Sequence, residues 1–207
     1  MASRGSRSPF APSPDEPVRP GPETGNPIGA AFTIGHSTRS LDELVALLSE
    51  NDVRTLVDVR RFPRSRTNPQ FDRPALETAL PLRGIDYLHD PRLGGRRSGA
   101  GGDEVVPATN AAWQVDAFHH YADWALGAEF AAALADLLSL VRAGRRPAVM
   151  CAELVWWRCH RRIIADWLIA AGVRVFHVLV PGKAAPATLS PTARIDAAGR
   201  VTYPGIA

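Results

Sequence analysis

The feature that most constrains this chain is an alternation of short apolar runs with helix-length segments between Ala30 and Val180. Ala31–Ile34 reads as a buried strand. Ser40 then caps a helix whose stripe is Leu44, Leu47 and Leu48, with Glu43 three residues on completing a capping box. Thr55–Val59 is a second strand, Pro74–Leu82 a short helix opening on proline, and Ile85–Leu88 a third strand. After a glycine-rich loop from Gly94 to Gly102, helices are predicted over Ala112–Trp124 and Ala128–Arg142. Ala148–Met150, Arg158–Ala171 and Val173–Val180 follow as strand, helix and strand, with Ile163, Ile164, Trp167 and Leu168 as the core stripe of the helix. Strands joined by helix-length connections cannot pair as hairpins; they require crossovers, and so a mostly parallel sheet covered on both faces. The predicted fold is α/β, a three-layer sandwich around a Rossmann-like sheet of about five strands.

The 207 residues suit one such domain, placed at residues 30–181. Residues 1–29 carry seven prolines and four glycines and hardly any large apolar side chain, so a disordered tail is expected there. Residues 182–207 are expected to be a partly extended C-terminal extension. The run from Pro181 to Pro186 should break regular structure, and Arg194-Ile195 could pair with Val201–Tyr203 across a turn at Ala198-Gly199. A hydrophobic fraction of 45% against 22% charged residues excludes wholesale disorder. No apolar run approaches the roughly 20 residues of a membrane span, so no membrane association is expected. The first arginines precede no apolar core, so no secretory leader is expected either. The two cysteines lie close together beside a histidine, which suggests chemistry rather than stapling, and a cytoplasmic setting.

In open parallel sheets, ligands bind beyond the carboxyl ends of the strands. Here those ends carry Gly35-His36-Ser37, Asp58-Val59-Arg60-Arg61, His89, and Cys151-Ala152-Glu153. Each has a bland reading alone: Asp58 could cap a loop, and His89 could be a satisfied, partly buried histidine. Four strands delivering polar groups to one edge favour a single site. The expected site sets Gly35, His36 and Ser37 against Asp58 and Arg60, with Cys151 and Glu153 on the other flank. Arg66 and Arg96 or Arg97 would arrive from loops. Gly35 would let a ligand or loop approach the backbone, and Asp58 would be paired with an arginine.

The segment from Cys151 to Arg161 carries the sharpest chemistry. Cys151 ends a strand; Cys159 and His160 lie in the first turn of the next predicted helix, where positive partial charge and nearby arginines favour thiolate. The order strand, cysteine, loop, arginine, helix is similar to the anion cradle of cysteine phosphatases and rhodaneses. The interval from Cys151 to Arg158 is one residue longer than theirs, the loop lacks glycines, and Trp156 and Trp157 occupy its middle. Zinc would find suitable ligand types in Cys151, Cys159 and His160, with Glu153 or a distant histidine as a fourth. Adjacent helical side chains diverge by about 100°, however, and no CxxC or HxxxH pair supports a metal. No metal or cofactor is expected. An ordinary buried thiol is the plain alternative for Cys159.

All but one of the 24 basic residues are arginine, the exception being Lys183. Between Asp58 and Arg97, nine arginines stand against five acids, a local excess that suits phosphate or carboxylate. The loop Arg60–Phe71 adds two aromatics and two prolines to four of these arginines, a mixture that can hold phosphates and stack on bases.

Taken in order, Thr33–Ser37, Asp58-Val59-Arg60, Pro63–Arg66 with Pro69 and Phe71, Leu93–Arg97, Tyr121-Ala122, Met150–Glu153 and Cys159-His160-Arg161 form a jointly specific set. On these motifs the chain resembles the family called domain of unknown function 488, from about Phe32 to Val180. Leu154–Trp157 stands where many members carry a charged, proline-containing stretch. The resemblance implies a cytoplasmic prokaryotic α/β domain and no established reaction. From the residues, the expected function is an enzyme acting on a phosphate-bearing substrate, a nucleotide or nucleic acid. Arg60, Arg64, Arg66, Arg96, Arg97 and Arg161 would hold the anion, together with Gly35, Ser37 and Asp58. Cys151 or Glu153 would act at the reacting centre, with His36 or His160 carrying protons. The alternatives are a non-catalytic nucleic-acid-binding module, or a thiol redox sensor using Cys151 and Cys159.

Overall fold

A computed structural model of the chain describes residues 28–97 and 109–205. Most of the expected N-terminal tail and the part of the glycine-rich loop from Ser98 to Gly102 lie outside the described residues.

The strands are β1 (Ala30–Gly35), β2 (Thr55–Asp58), β3 (Asp86–His89), β4 (Pro147–Cys151), β5 (Arg174–Val180) and β6 (Lys183–Pro186), in the sheet order β3-β2-β4-β1-β5-β6. The first five are mutually parallel wherever they pair, and β6 runs antiparallel to β5. Helices α1 (Leu41–Glu50) and α2 (Arg73–Ala79) contribute to the core on one face; α3 (Asp116–Ala125), α4 (Ala128–Arg142) and α5 (Arg161–Ala170) cover the other. The alternation of strand side chains divides the core accordingly. Phe32, Ile34, Leu56 and Met150 pack toward α1 and α2, while Ala31, Val57, Val149 and Cys151 face the α3–α5 layer. The three-layer α/β sandwich is therefore the fold.

The local signals are read closely. Ser40 Oγ accepts from the Glu43 N–H at 3.1 Å, and the Glu43 carboxylate accepts from the Ser40 N–H at 2.7 Å, a reciprocal capping box. Several boundaries differ from expectation, among them the second helix, which ends at Ala79 and not at Leu82. Pro181-Gly182 reverses the chain instead of ending regular structure, because Gly182 takes φ +71° and lets β6 fold back onto β5 as an edge strand. The helix expected from Arg158 starts at Arg161, after a 3-10 turn over Trp156–Arg158. The helix expected from Ala112 starts at Asp116, and the preceding residues form turns.

β7 (Arg194–Ile195) and β8 (Val201–Thr202) form the expected small antiparallel pair. This segment is docked on α5: the buried Asp166 carboxylate accepts from the Ser190 N–H at 2.8 Å and from the Tyr203 hydroxyl at 2.9 Å. Burial pushes the Asp166 carboxyl up to about 6, against the pull of those hydrogen bonds and of Arg162.

The strand order is what positions the site. The β1–α1–β2 connection leaves β1 in one direction and passes over the place that β4 fills. The β4–α5–β5 connection leaves β4 in the other direction, on the opposite face. Such a reversal opens a crevice beyond the strand ends. Register aligns Gly35 with Cys151, and Asp58 with both Met150 and His89, so the ends of β1 to β4 form one row.

Candidate functional site

Beyond this row lies a cavity of about 760 Å³ whose walls include His36, Ser37, Arg60, Arg64, Arg96, Cys151, Glu153 and His160. The structure thus brings eight of the predicted site residues together. Because β4 lies between β1 and β2, Cys151 sits in the middle of the site, not on a flank.

On the β2 side the polar groups close on one another. Asp58 is fully buried, and its carboxylate accepts from Arg60 Nε at 2.9 Å, Arg60 Nη2 at 2.6 Å, the Arg60 backbone N–H at 3.0 Å and the Tyr87 hydroxyl at 2.8 Å. Arg60 Nη2 also donates to the Phe71 carbonyl at 2.6 Å, and Nη1 to His36 Nε2 at 3.2 Å. Because arginine only donates, His36 Nε2 must accept; because a carbonyl only accepts, His36 Nδ1 must donate to Ser37 O at 2.9 Å. His36 is therefore a neutral imidazole, stacked on Phe71 at 4.3 Å. Burial, with Arg60 adding to it, lowers its pKa to about 4 despite the Ser37 carbonyl. The lone pair that a general base needs is already committed. The same logic fixes His89, whose Nε2 donates to the Arg60 carbonyl at 2.8 Å while Nδ1 accepts from Arg73 Nη1 at 3.3 Å.

On the β4–α5 side the groups do not close. Cys151 Sγ and Cys159 Sγ lie 2.9 Å apart, both as free thiols and both buried. Cys159 Sγ also faces His160 Nδ1 at 3.4 Å and receives Arg161 Nε at 3.5 Å. Burial alone would push the Cys159 thiol up; the Cys151 S–H, His160 and Arg161 outweigh it and hold Cys159 well below an ordinary thiol. Burial and the adjacent Cys159 sulfur push Cys151 well above. These surroundings make Cys159 the sulfur more readily ionised, with the Cys151 S–H placed at 2.9 Å to donate to it. Among the described residues, His160 Nε2 and Arg161 Nη1 are buried without a hydrogen-bond partner.

Several predicted residues fall elsewhere. Gly35 admits no ligand, because a Cβ there would stand 1.8 Å from the Glu153 carbonyl oxygen; the close approach is made by the β4–α5 loop. Asp58 lies behind Arg60, outside the cavity wall. Arg161 is fully buried under that loop, donating to the Glu153 carbonyl at 2.5 Å, so it faces sulfur and backbone instead of solvent. Arg97 lies over Trp124 at 3.8 Å and donates to the carbonyls of Gly94, Pro91 and Arg92, which occupies its fork. Arg66 is exposed and does not line the cavity, although Ser65 and Asn68 on either side of it do. Trp156, expected to crowd the loop, stacks on His177 at 4.0 Å, and neither it nor Trp157 lines the cavity.

Arg61 and Arg158, expected at the strand-end edge and in the β4–α5 loop but not among the anion-holding residues, line the wall, and so does Cys159, expected at the site only as part of a redox pair. For Cys159 the signal was present in the run Cys159-His160-Arg161 at a helix start. Val115 and Phe118, also in the wall, carry no local signal, since only the packing of α3 brings them there. Among the described residues, Arg61, Arg64, Arg96 and Arg158 make no ion pair, and Glu153 is the one carboxylate in the wall. Among the described residues, arginines outnumber the one carboxylate in the wall that Cys151 and Cys159 also line.

No single helix among the described residues is long and apolar enough to cross a membrane. Residues 40–168 match the family described as domain of unknown function DUF488, more than half of the chain, and the chain belongs to this family. No curated protein and no solved structure matches it.

Proposed function

We propose that this member of the DUF488 family is a cytoplasmic enzyme acting on a phosphate-bearing substrate, a nucleotide or nucleic acid, at the C-terminal edge of the sheet. The observation that carries the reading is the pairing of free cations with a buried nucleophile. Arg61, Arg64, Arg96 and Arg158, which make no ion pair among the described residues, line the same cavity as the buried Cys159 sulfur, whose surroundings hold its pKa well below that of an ordinary thiol. Guanidinium groups without a protein carboxylate are available to phosphate oxygens and suit them in bidentate geometry. Arg60 adds at most one N–H, since its other donors are spent on Asp58, His36 and Phe71. Cys159 is the nucleophile on this reading. The exposed carboxylate of Glu153 moves protons, because His36 has no free lone pair. Phe62, 68% exposed beside Arg61, offers a face for a base. Free thiols suit the reducing poise of the cytoplasm.

The test is a turnover screen of phosphomonoesters, nucleotides and short single-stranded nucleic acids, with binding followed in parallel by calorimetry. Cys159→Ser should abolish turnover of the active compound while leaving its affinity within about threefold of wild type, less than 1 kcal/mol. Binding without turnover anywhere in the screen, unchanged in Cys159→Ser, would make the chain a nucleic-acid-binding module instead.

A further inference from the structure

Arg161 presents an electrostatic problem whose solution lies in the two sulfurs. Its guanidinium is completely buried, and among the described residues no carboxylate pairs with it. Its partners are the Glu153 and Leu154 carbonyls and the Cys159 sulfur. A buried cation without an anion is costly, and among its hydrogen-bond partners the one side chain able to take on negative charge is Cys159. The second sulfur is already in contact at 2.9 Å, at the end of β4 where the parallel ladder holds the backbone. Ser37 N–H to Ala152 O and His36 N–H to Cys151 O, both at 3.0 Å, extend that ladder past the strand end.

We propose that Cys159 and Cys151 form a peroxide-reactive dithiol, with Cys159 the attacking sulfur and Cys151 the resolving one. The reaction goes beyond the phosphate-bearing substrate and does not depend on it. The Cys159 thiolate attacks the terminal oxygen of a hydroperoxide, ROOH. The O–O bond breaks, Cys159 becomes a sulfenic acid, and the departing alkoxide takes a proton from solvent to leave as alcohol. Cys151 then attacks the Cys159 sulfur. The S–O bond breaks, hydroxide leaves with the Cys151 proton as water, and a disulfide remains. Two thiol sulfurs are oxidised by two electrons in all, and one peroxide is reduced to alcohol and water. An external dithiol restores the pair. The oxidant is small, because Cys151 and Cys159 are only 3% and 4% exposed, which shuts out a protein disulfide while the cavity admits a peroxide. Closure consumes the negative charge opposite Arg161.

The experiment treats the reduced full-length protein with one equivalent of hydrogen peroxide and reads intact mass and peptide maps. The wild type should lose two hydrogens and yield a Cys151–Cys159 linked peptide that dithiothreitol separates. Cys151→Ser should instead gain one oxygen, trapped by dimedone at Cys159. Cys159→Ser should consume peroxide at least about tenfold more slowly than wild type. Two titratable thiols and no linked peptide in the treated wild type would overturn the proposal. So would equal peroxide consumption by wild type and a folded Cys159→Ser. Should either variant fail to fold, the wild-type peptide map decides alone.

Discussion

Two neighbouring polar clusters each send residues into one cavity and have opposite characters. Around Asp58, Arg60, His36 and Tyr87, nearly every donor meets an acceptor, charge is balanced, and the histidine is locked neutral. Around Cys151, Cys159, His160 and Arg161, two sulfurs lie 2.9 Å apart and two buried nitrogens have no partner among the described residues. A closed network holds geometry; an open one keeps reactivity in reserve. Both contain an arginine and a histidine, so residue type does not separate scaffold from chemistry. What separates them is whether the hydrogen-bonding capacity is exhausted.

Removing the centre of the closed cluster should have the largest effect. Asp58→Ala strands Arg60, only 8% exposed, without its anion, and should cost about 3–5 kcal/mol in urea unfolding. Glu153→Gln, an exposed change on the open side, should stay within about 0.5 kcal/mol. Equal losses would erase the contrast. Next comes the contact that joins the two clusters. Gly35→Ala drives a Cβ into the Glu153 carbonyl and should cost about 1–3 kcal/mol or more. It should also change the alkylation rate of Cys159, because the displaced loop holds Arg161 in place.

The pH dependence sharpens the comparison further. His36 is lowered to about 4 and His177 to about 3, both chiefly by burial, from an ordinary value of 6.5. Their contribution to stability is present above 6.5 and is lost as pH falls toward those values, because the unfolded chain takes up the protons first. Asp166, raised to about 6 from 3.8, acts oppositely: its contribution is present below 3.8 and is lost as pH rises through 6. Two histidines against one carboxyl leave a net loss of up to about 1.4 kcal/mol per pH unit between pH 6 and 4. Urea midpoints at pH 7, 6 and 5 would check it; a flat series would mean the histidines are not held neutral.

The smallest effect on stability, and the most specific, belongs to the free arginines. Arg64→Ala and Arg158→Ala should each shift stability by no more than about 0.5 kcal/mol, yet weaken a phosphate-bearing ligand about tenfold. Arg97→Ala, which loses its stack on Trp124, should show the reverse pattern. Calorimetry beside thermal unfolding distinguishes the two behaviours.

The sequence by itself determined the periodic features. A capping box, an apolar stripe and a strand of four or five residues depend on neighbours a few positions away, so Ser40, Glu43 and Leu44 could be read directly. Register then brings strand ends into one row without further information, which is why His36, Arg60 and Cys151 were legible as one site. Only the tertiary structure decided the strand order that centres Cys151, and the fate of each arginine. Arg60, Arg64, Arg97 and Arg161 are the same residue, yet one is locked on a carboxylate, one makes no ion pair among the described residues, one stacks on an indole and one is buried beside sulfur. A guanidinium's long stem reaches partners outside its own turn, Trp124 for Arg97 and the Glu153 and Leu154 carbonyls of the β4–α5 loop for Arg161, and local sequence carries no record of which partner the packing supplies.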